Sequence, residues 1–150
     1  MNYTLRPAAP ADLNGVLTWI DSPHALRMWG RDLLTYPPEV EKTWQEICGD
    51  DHTTFALVDT AGLVGFGQTL PREPGRVHLG RIIESPEVRG QGLGRALVRA
   101  LIDSARENYH PAAITLNVYR DNLAAVQLYR LLGLYGIKAE RGEIINTSNF

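Results

Sequence analysis

The stretch Val88-Arg89-Gly90-Gln91-Gly92-Leu93-Gly94-Arg95 points most directly to a ligand. It lies between an apolar, strand-like run and a long helical one. At a helix start the first backbone N–H groups lack internal partners and the dipole is positive, so main chain alone can hold a phosphate. The glycines permit close approach, and Arg89 and Arg95 flank the turn, where charge-assisted contacts to a pyrophosphate or a 3′-phosphate can form. Two other phosphate binders fail on the letters. A P-loop needs Gly-Lys-Ser/Thr after four intervening residues, and a dinucleotide fingerprint needs Gly where Arg95 stands. A glycine-rich turn that only connects a strand to a helix is the plain alternative.

Asn122, Ala125, Leu128 and Tyr129 form a second group. Their seven-residue span is close to two helical turns, so Asn122 and Tyr129 share a face, with small Ala125 leaving room for a ligand between them. Leu128 can face the core. Taken alone, Tyr129 reads more readily as an aromatic packing residue with a solvated hydroxyl.

Several elements must position these groups. Tyr3 and Leu5 alternate in a short strand ended by Pro7, and Asp12 is placed to cap a helix carrying Leu13, Val16, Leu17 and Ile20. Ser22-Pro23 starts a second helix to about Trp29, and Val40, Trp44 and Ile47 space a third. Thr53–Val58 and Leu63–Thr69 read as a hairpin across Asp59-Thr60-Ala61-Gly62, followed by a strand over Val77–Glu84. Leu93, Leu97, Leu101 and Ala105 mark one buried face of a long helix over Gly92–Asn108. Ile114–Val118 is then a buried strand and Leu123–Leu132 a helix ended by Gly133, while Tyr135–Ile137 and Glu143–Thr147 can pair across Glu140-Arg141-Gly142. The order predicts a mixed α/β sheet in one layer covered by helices.

The chain has 150 residues, the size of one domain, and 15 Lys+Arg against 17 Asp+Glu leave a formal charge of -2. We therefore expect a single domain over 1–150 with no broad positive field for nucleic acid or an anionic membrane. The single cysteine, Cys48, excludes an internal disulfide and a thiolate metal site. No signal-like start or spanning apolar run is present, so a soluble cytoplasmic protein is expected.

Arg89, Gly92 and Gly94 fit Gln/Arg-x-x-Gly-x-Gly/Ala, and Asn122, Ala125, Leu128 and Tyr129 fit Asn-x-x-Ala-x-x-Leu-Tyr, in that order. In this pair of motifs the sequence resembles the GNAT superfamily of acetyl-CoA-dependent N-acetyltransferases. The resemblance implies a GNAT-like α/β (α+β) fold with a mostly antiparallel central sheet, splayed between its fourth and fifth strands and flanked by helices. It implies acetyl-CoA as cosubstrate, with the backbone of Ile82, Ile83 and Glu84 along the pantetheine and the turn Arg89, Gly90, Gln91, Gly92, Leu93, Gly94 and Arg95 around the pyrophosphate. Asn122 would lie beside the pantetheine, and Tyr129 would be the general acid. A phenol near 10 against a thiol near 8.5 leaves Tyr129 protonated and able to donate at neutrality.

The amine must also lose a proton. On an even strand His78, Gly80, Ile82 and Glu84 point one way and Leu79, Arg81 and Ile83 the other, which makes His78 and Glu84 the base candidates. In the family the base, where one exists, is often Glu or His on this strand several residues before the glycine turn, which suits His78 better. Glu84 departs from the family pattern, in which that position is usually apolar. A hydrogen-bonded strand histidine and a solvated strand-end carboxylate are the plain readings. The resemblance also places the segment from Trp19 to Trp44 over the thioester. Trp19 and Trp44 are expected in the core, leaving Trp29 and Tyr36 to line an acceptor pocket, with Asp21 and Asp32 exposed.

With no base beside it, Cys48 is not expected to carry the acyl group, so direct transfer in a ternary complex is expected. The expected acceptor is a small-molecule, amino-acid or peptide amine. No metal is expected, and a homodimer is left open. A non-catalytic acyl-CoA-binding or sensing domain is the second reading.

Overall fold

The computed structural model describes residues 2–30, 34–49, 51–73, 75–119, 123–140 and 143–149, with backbone alone for 118–119, 135–140 and 143–149. Its strands are β1 (Thr4–Pro7), β2 (Thr53–Asp59), β3 (Gly62–Arg72), β4 (Arg76–Glu84), β5 (Ala113–Tyr119), β6 (Tyr135–Glu140) and β7 (Glu143–Asn149). Its helices are α1 (Asp12–Thr18), α2 (Pro23–Gly30), α3 (Val40–Ile47), α4 (Leu93–Tyr109) and α5 (Leu123–Leu131). The strands form one sheet in the order β1-β2-β3-β4-β5-β7-β6. Every neighbouring pair is antiparallel except β4 with β5. The expected mixed, mostly antiparallel sheet is present, and β6 and β7 pair as the turn between them implied.

Each face of the sheet is covered. Leu93, Leu97, Val98, Leu101, Ile102 and Ala105 of α4 are buried with Leu57, Val77, Leu79, Ile114 and Leu116 of the sheet. On the other face Leu13, Val16, Leu26, Trp29 and Ile47 of α1, α2 and α3 close over Phe66 and Ile83. The four-residue recurrence in α4 is what a helix burying one stripe requires.

Local chemistry sets the joints. Ser22 Oγ accepts from the Ala25 N–H at 3.0 Å, the cap that Ser-Pro announces. Asp59 Oδ1 accepts from the Ala61 and Gly62 N–H groups at 2.8 and 3.1 Å, closing the β2–β3 hairpin as an Asx turn. Asp12 differs from expectation. Ala11 holds the N-cap position and makes no side-chain cap bond. The Asp12 carboxylate instead accepts from Ala9 N–H at 2.8 Å and pairs with Arg6 through Nη1 and Nη2 at 2.9 and 2.8 Å. A guanidinium within reach on β1 outcompetes the helix's own amides for a short carboxylate.

Candidate active site

The centre of the site is a break in the sheet. β4 and β5 pair in parallel only from Arg76↔Ala113 to Leu79↔Leu116, although β4 runs on to Glu84 and β5 to Tyr119. Beyond Leu79 the β4–β5 register stops among the described residues, leaving a slot into which an extended molecule can bond as a strand would.

A bulge turns β4 at the mouth of that slot. Against β3, Phe66 pairs with Ile83 while Gln68 pairs with Gly80, so β4 carries one residue more than its partner. Arg81 sits there with φ 48°. A left-handed backbone is uncommon for a residue with a side chain and persists only where its surroundings hold it. Here the Trp29 indole N–H donates to the Arg81 carbonyl at 2.8 Å, and Arg81 Nη1 donates to Gln68 Oε1 at 2.9 Å. Gln68, fully buried, in turn donates to the Ile47 carbonyl and to Thr54 Oγ1 at 2.8 and 2.9 Å. The bulge is thus anchored to α2 and to the end of α3. Sequence reasoning passed over Arg81 and Gln68; a cation and an amide inside otherwise apolar strands were the available signal.

The bulge overturns the expected alternation along β4. Val77 and Leu79 pack with α4, and after the extra residue so does Ile82, while Ile83 joins the opposite cluster. His78 and Glu84 therefore lie on opposite faces, contrary to the even-strand reading. His78 is one residue inside the paired stretch, opposite Thr115, with Nδ1 2.8 Å from Thr115 Oγ1. Glu84 is on the α4 side.

The glycine turn follows at the end of β4. Ser85 N–H donates to the Val64 carbonyl at 2.8 Å, and a 3₁₀ turn over Pro86–Val88 leads to Gly90 and Gly92, at φ 82° and 77°. Gly92 is the N-cap of the 17-residue α4, with no side-chain cap bond. A Cβ added at Gly90 or Gly92 would meet nothing within 4 Å. The turn thus presents α4's first amides beside open space, as an anion site requires. Arg89, Gln91 and Arg95 are exposed around it, whereas the Leu93 side chain is in the core, which leaves its amide for a ligand.

Two titratable groups meet behind the turn. Burial raises the Glu84 carboxyl pKa above its usual value, with the Arg89 charge and the Gly94 amide pulling the other way. Its Oε2 is buried and makes no hydrogen bond among the described residues. Burial and then the Glu84 charge push the Tyr129 phenol up to about 12. Tyr129 packs on the α4 cluster with Ala125, and its carbonyl accepts from Leu134 N–H at 2.9 Å, tying the end of α5 to the next strand. Asn122 and Asp32 lie outside the described residues.

The tryptophans reverse their expected order. Trp29 is 7% exposed, packs at 6.0 Å and 54° on Phe66, and uses its N–H on the bulge. Trp19 and Trp44 are only partly buried. Tyr36, between α2 and α3, is 40% exposed. Among the described residues no three His, Cys, Asp or Glu cluster as a metal site, and no helix is long and apolar enough to cross a membrane.

The parted β4–β5 pair thus leads directly to a glycine-framed helix start. Residues 17–134 match the acetyltransferase (GNAT) family, and the chain belongs to that family. It is 35% identical over 98 residues to the [ribosomal protein bS18]-alanine N-acetyltransferase of Escherichia coli K12, covering 64% of each chain. It is 36% identical over 59 residues to the spermine/spermidine N(1)-acetyltransferase of Bacillus subtilis, covering 39% of each. The matched stretches thus span under two thirds of these curated relatives. The fold is similar to that of spermidine N-acetyltransferase from Vibrio cholerae in complex with CoA and spermine, with a TM-score of 0.78 at 20% identity over 97% of this chain and 92% of that one.

Proposed function

We propose that this protein transfers an acetyl group from acetyl-CoA to a primary amine of a small molecule, an amino acid or a peptide end, by direct attack in a ternary complex. The observation that carries the reading is the parting of β4 from β5 directly ahead of the α4 start. The pantetheine lies along Ile82, Ile83 and Glu84, and the turn from Arg89 to Arg95 takes the pyrophosphate. The neutral amine attacks the thioester carbon, the C–S bond breaks, the sulfur takes up a proton at Tyr129, and the new amide nitrogen loses one. His78 is the better candidate to take that proton, because Glu84 is turned toward α4. Tyr36 is the exposed aromatic available to an acceptor, whereas Trp29 acts through the Arg81 carbonyl it holds.

The names of the relatives support an amine acceptor, since they act on spermine and spermidine or on the alanine of a ribosomal protein. Free-thiol release from acetyl-CoA across a panel of polyamines, amino acids and Ala-initiated peptides tests the reading. Turnover with one class is the expected result. Binding without turnover on any amine would favour a non-catalytic acyl-CoA-binding domain, and calorimetry without binding would end both readings.

A further inference from the structure

The reading proposed above gives the side chain of Glu84 no step in the transfer, yet it is placed against the machinery. A Cβ built on Gly94, in the first turn of α4, would lie 3.5 Å from Glu84 Oε2 and 3.5 Å from Leu128 Cδ2. The carboxyl therefore sits between the start of α4 and α5, behind the turn proposed above for the pyrophosphate. The charged or titratable groups that act on it are Arg89 from the turn and Tyr129 from α5. From α4 it meets the Gly94 amide, and its partner across on β3 is Gly65, which carries no charge. One helix start is thus offered to two anions, one built into the chain and one brought by the cofactor.

We propose that Glu84 is an internal competitor for the anion site at the start of α4, so that an acyl-CoA binds with uptake of a proton by this carboxyl. The inference rests on the proposed cofactor reading. A phosphate arriving beside an ionised carboxylate raises the carboxyl's affinity for a proton through like-charge repulsion. The burial that already raises the Glu84 pKa acts in the same direction. By linkage, affinity for CoA is highest where Glu84 is protonated before binding, falls as pH rises through its free-protein pKa, and levels off above its pKa in the complex. Each pH unit between those two values weakens binding about tenfold. The carboxylate thereby selects against cofactor in alkaline solution, a property an apolar side chain at this position would not give.

The test is calorimetric titration of CoA into the wild type and Glu84→Gln from pH 5.5 to 8.5, in buffers of differing ionisation enthalpy, so that bound protons are counted. Ionisations of CoA itself cancel between the two proteins. The expected result is that Glu84→Gln binds CoA more tightly than the wild type at pH 8.5, by about tenfold, and takes up fewer protons. Glu84→Val should also bind tightly at pH 8.5, which separates removal of charge from gain of an amide hydrogen bond. Equal affinities and equal proton counts across the range overturn the inference while leaving the cofactor reading intact. A wild type that binds no CoA at any pH overturns the cofactor reading instead. Thermal unfolding without ligand identifies a misfolded variant, and the remaining one then decides.

Discussion

Tyr129 is a weaker acid here than in water, and that changes what it can do. Passing a proton from a phenol at about 12 to a free thiolate near 8.5 climbs about 5 kcal/mol. The phenol therefore acts by donating a hydrogen bond to sulfur as charge develops there, completing the transfer only as its own proton is replaced. Tyr129→Phe should lower kcat by about 10²–10³-fold with CoA affinity nearly unchanged, read by steady-state rates and calorimetry together. Because the phenol stays neutral to high pH, no falling limb in kcat below about pH 11 should come from this residue; one that vanishes in Tyr129→Phe would contradict the assignment. His78→Ala should remove the acidic limb of kcat/KM while CoA binding persists. An unaltered limb removes His78 from the mechanism. Tyr129 and the glycine turn were legible in the sequence because local spacing fixes their placement. The separation of His78 from Glu84 was not, because one extra residue held by Trp29 and Gln68, both distant in sequence, inverts the strand's alternation.

At the scale of elements, α4 approaches β3 through two glycines. A Cβ on Gly65 would lie 3.2 Å from Leu97 Cδ2, and one on Gly67 would lie 2.7 Å from Leu101 Cδ1. Gly67→Leu should lower stability by about 1–3 kcal/mol in urea melts, since α4 must move or Leu101 must leave its rotamer. A neutral result would show that this contact yields freely. β1 and α1 are joined by a weaker device. The Arg6 hydrogen bond, ahead of the other causes, holds the Asp12 carboxyl below its usual pKa. Its contribution is thus full above the unfolded value near 3.8 and lost as pH falls through the lower folded value. Arg6 is 43% exposed, so solvent screening keeps the pair to about 1 kcal/mol or less, and Asp12→Asn should shift the urea midpoint slightly at pH 7 and not at all below both pKa values. The helices were legible because a buried stripe recurs every three or four residues. The fate of Asp12 was not, since a helix-start carboxylate cannot reveal which distant cation will claim it.

For the whole molecule, a ligand that binds only the folded form adds about 2.7 kcal/mol at a hundred times its Kd. In a chain of this size that raises Tm by about 5–10 °C, and Gly92→Val should abolish the rise by placing a side chain where the pyrophosphate must come. An unchanged rise would move the anion site elsewhere. The β4–β5 ladder of four residue pairs has a further consequence for how the molecule comes apart. Among the described strands it is the one parallel seam, with β1–β4 on one side and β5, β7 and β6 on the other. Backbone bonding across the seam covers only that short stretch, and the apolar cluster that α4 shares with Val77, Leu79, Ile114 and Leu116 spans it. Solvent exchange should therefore be fastest among those β4 amides beyond Leu79 that face β5, and slow for their neighbours bonded to β3. A bound pantetheine arm would lace the seam from end to end, so the two halves should then unfold in a single, sharper transition.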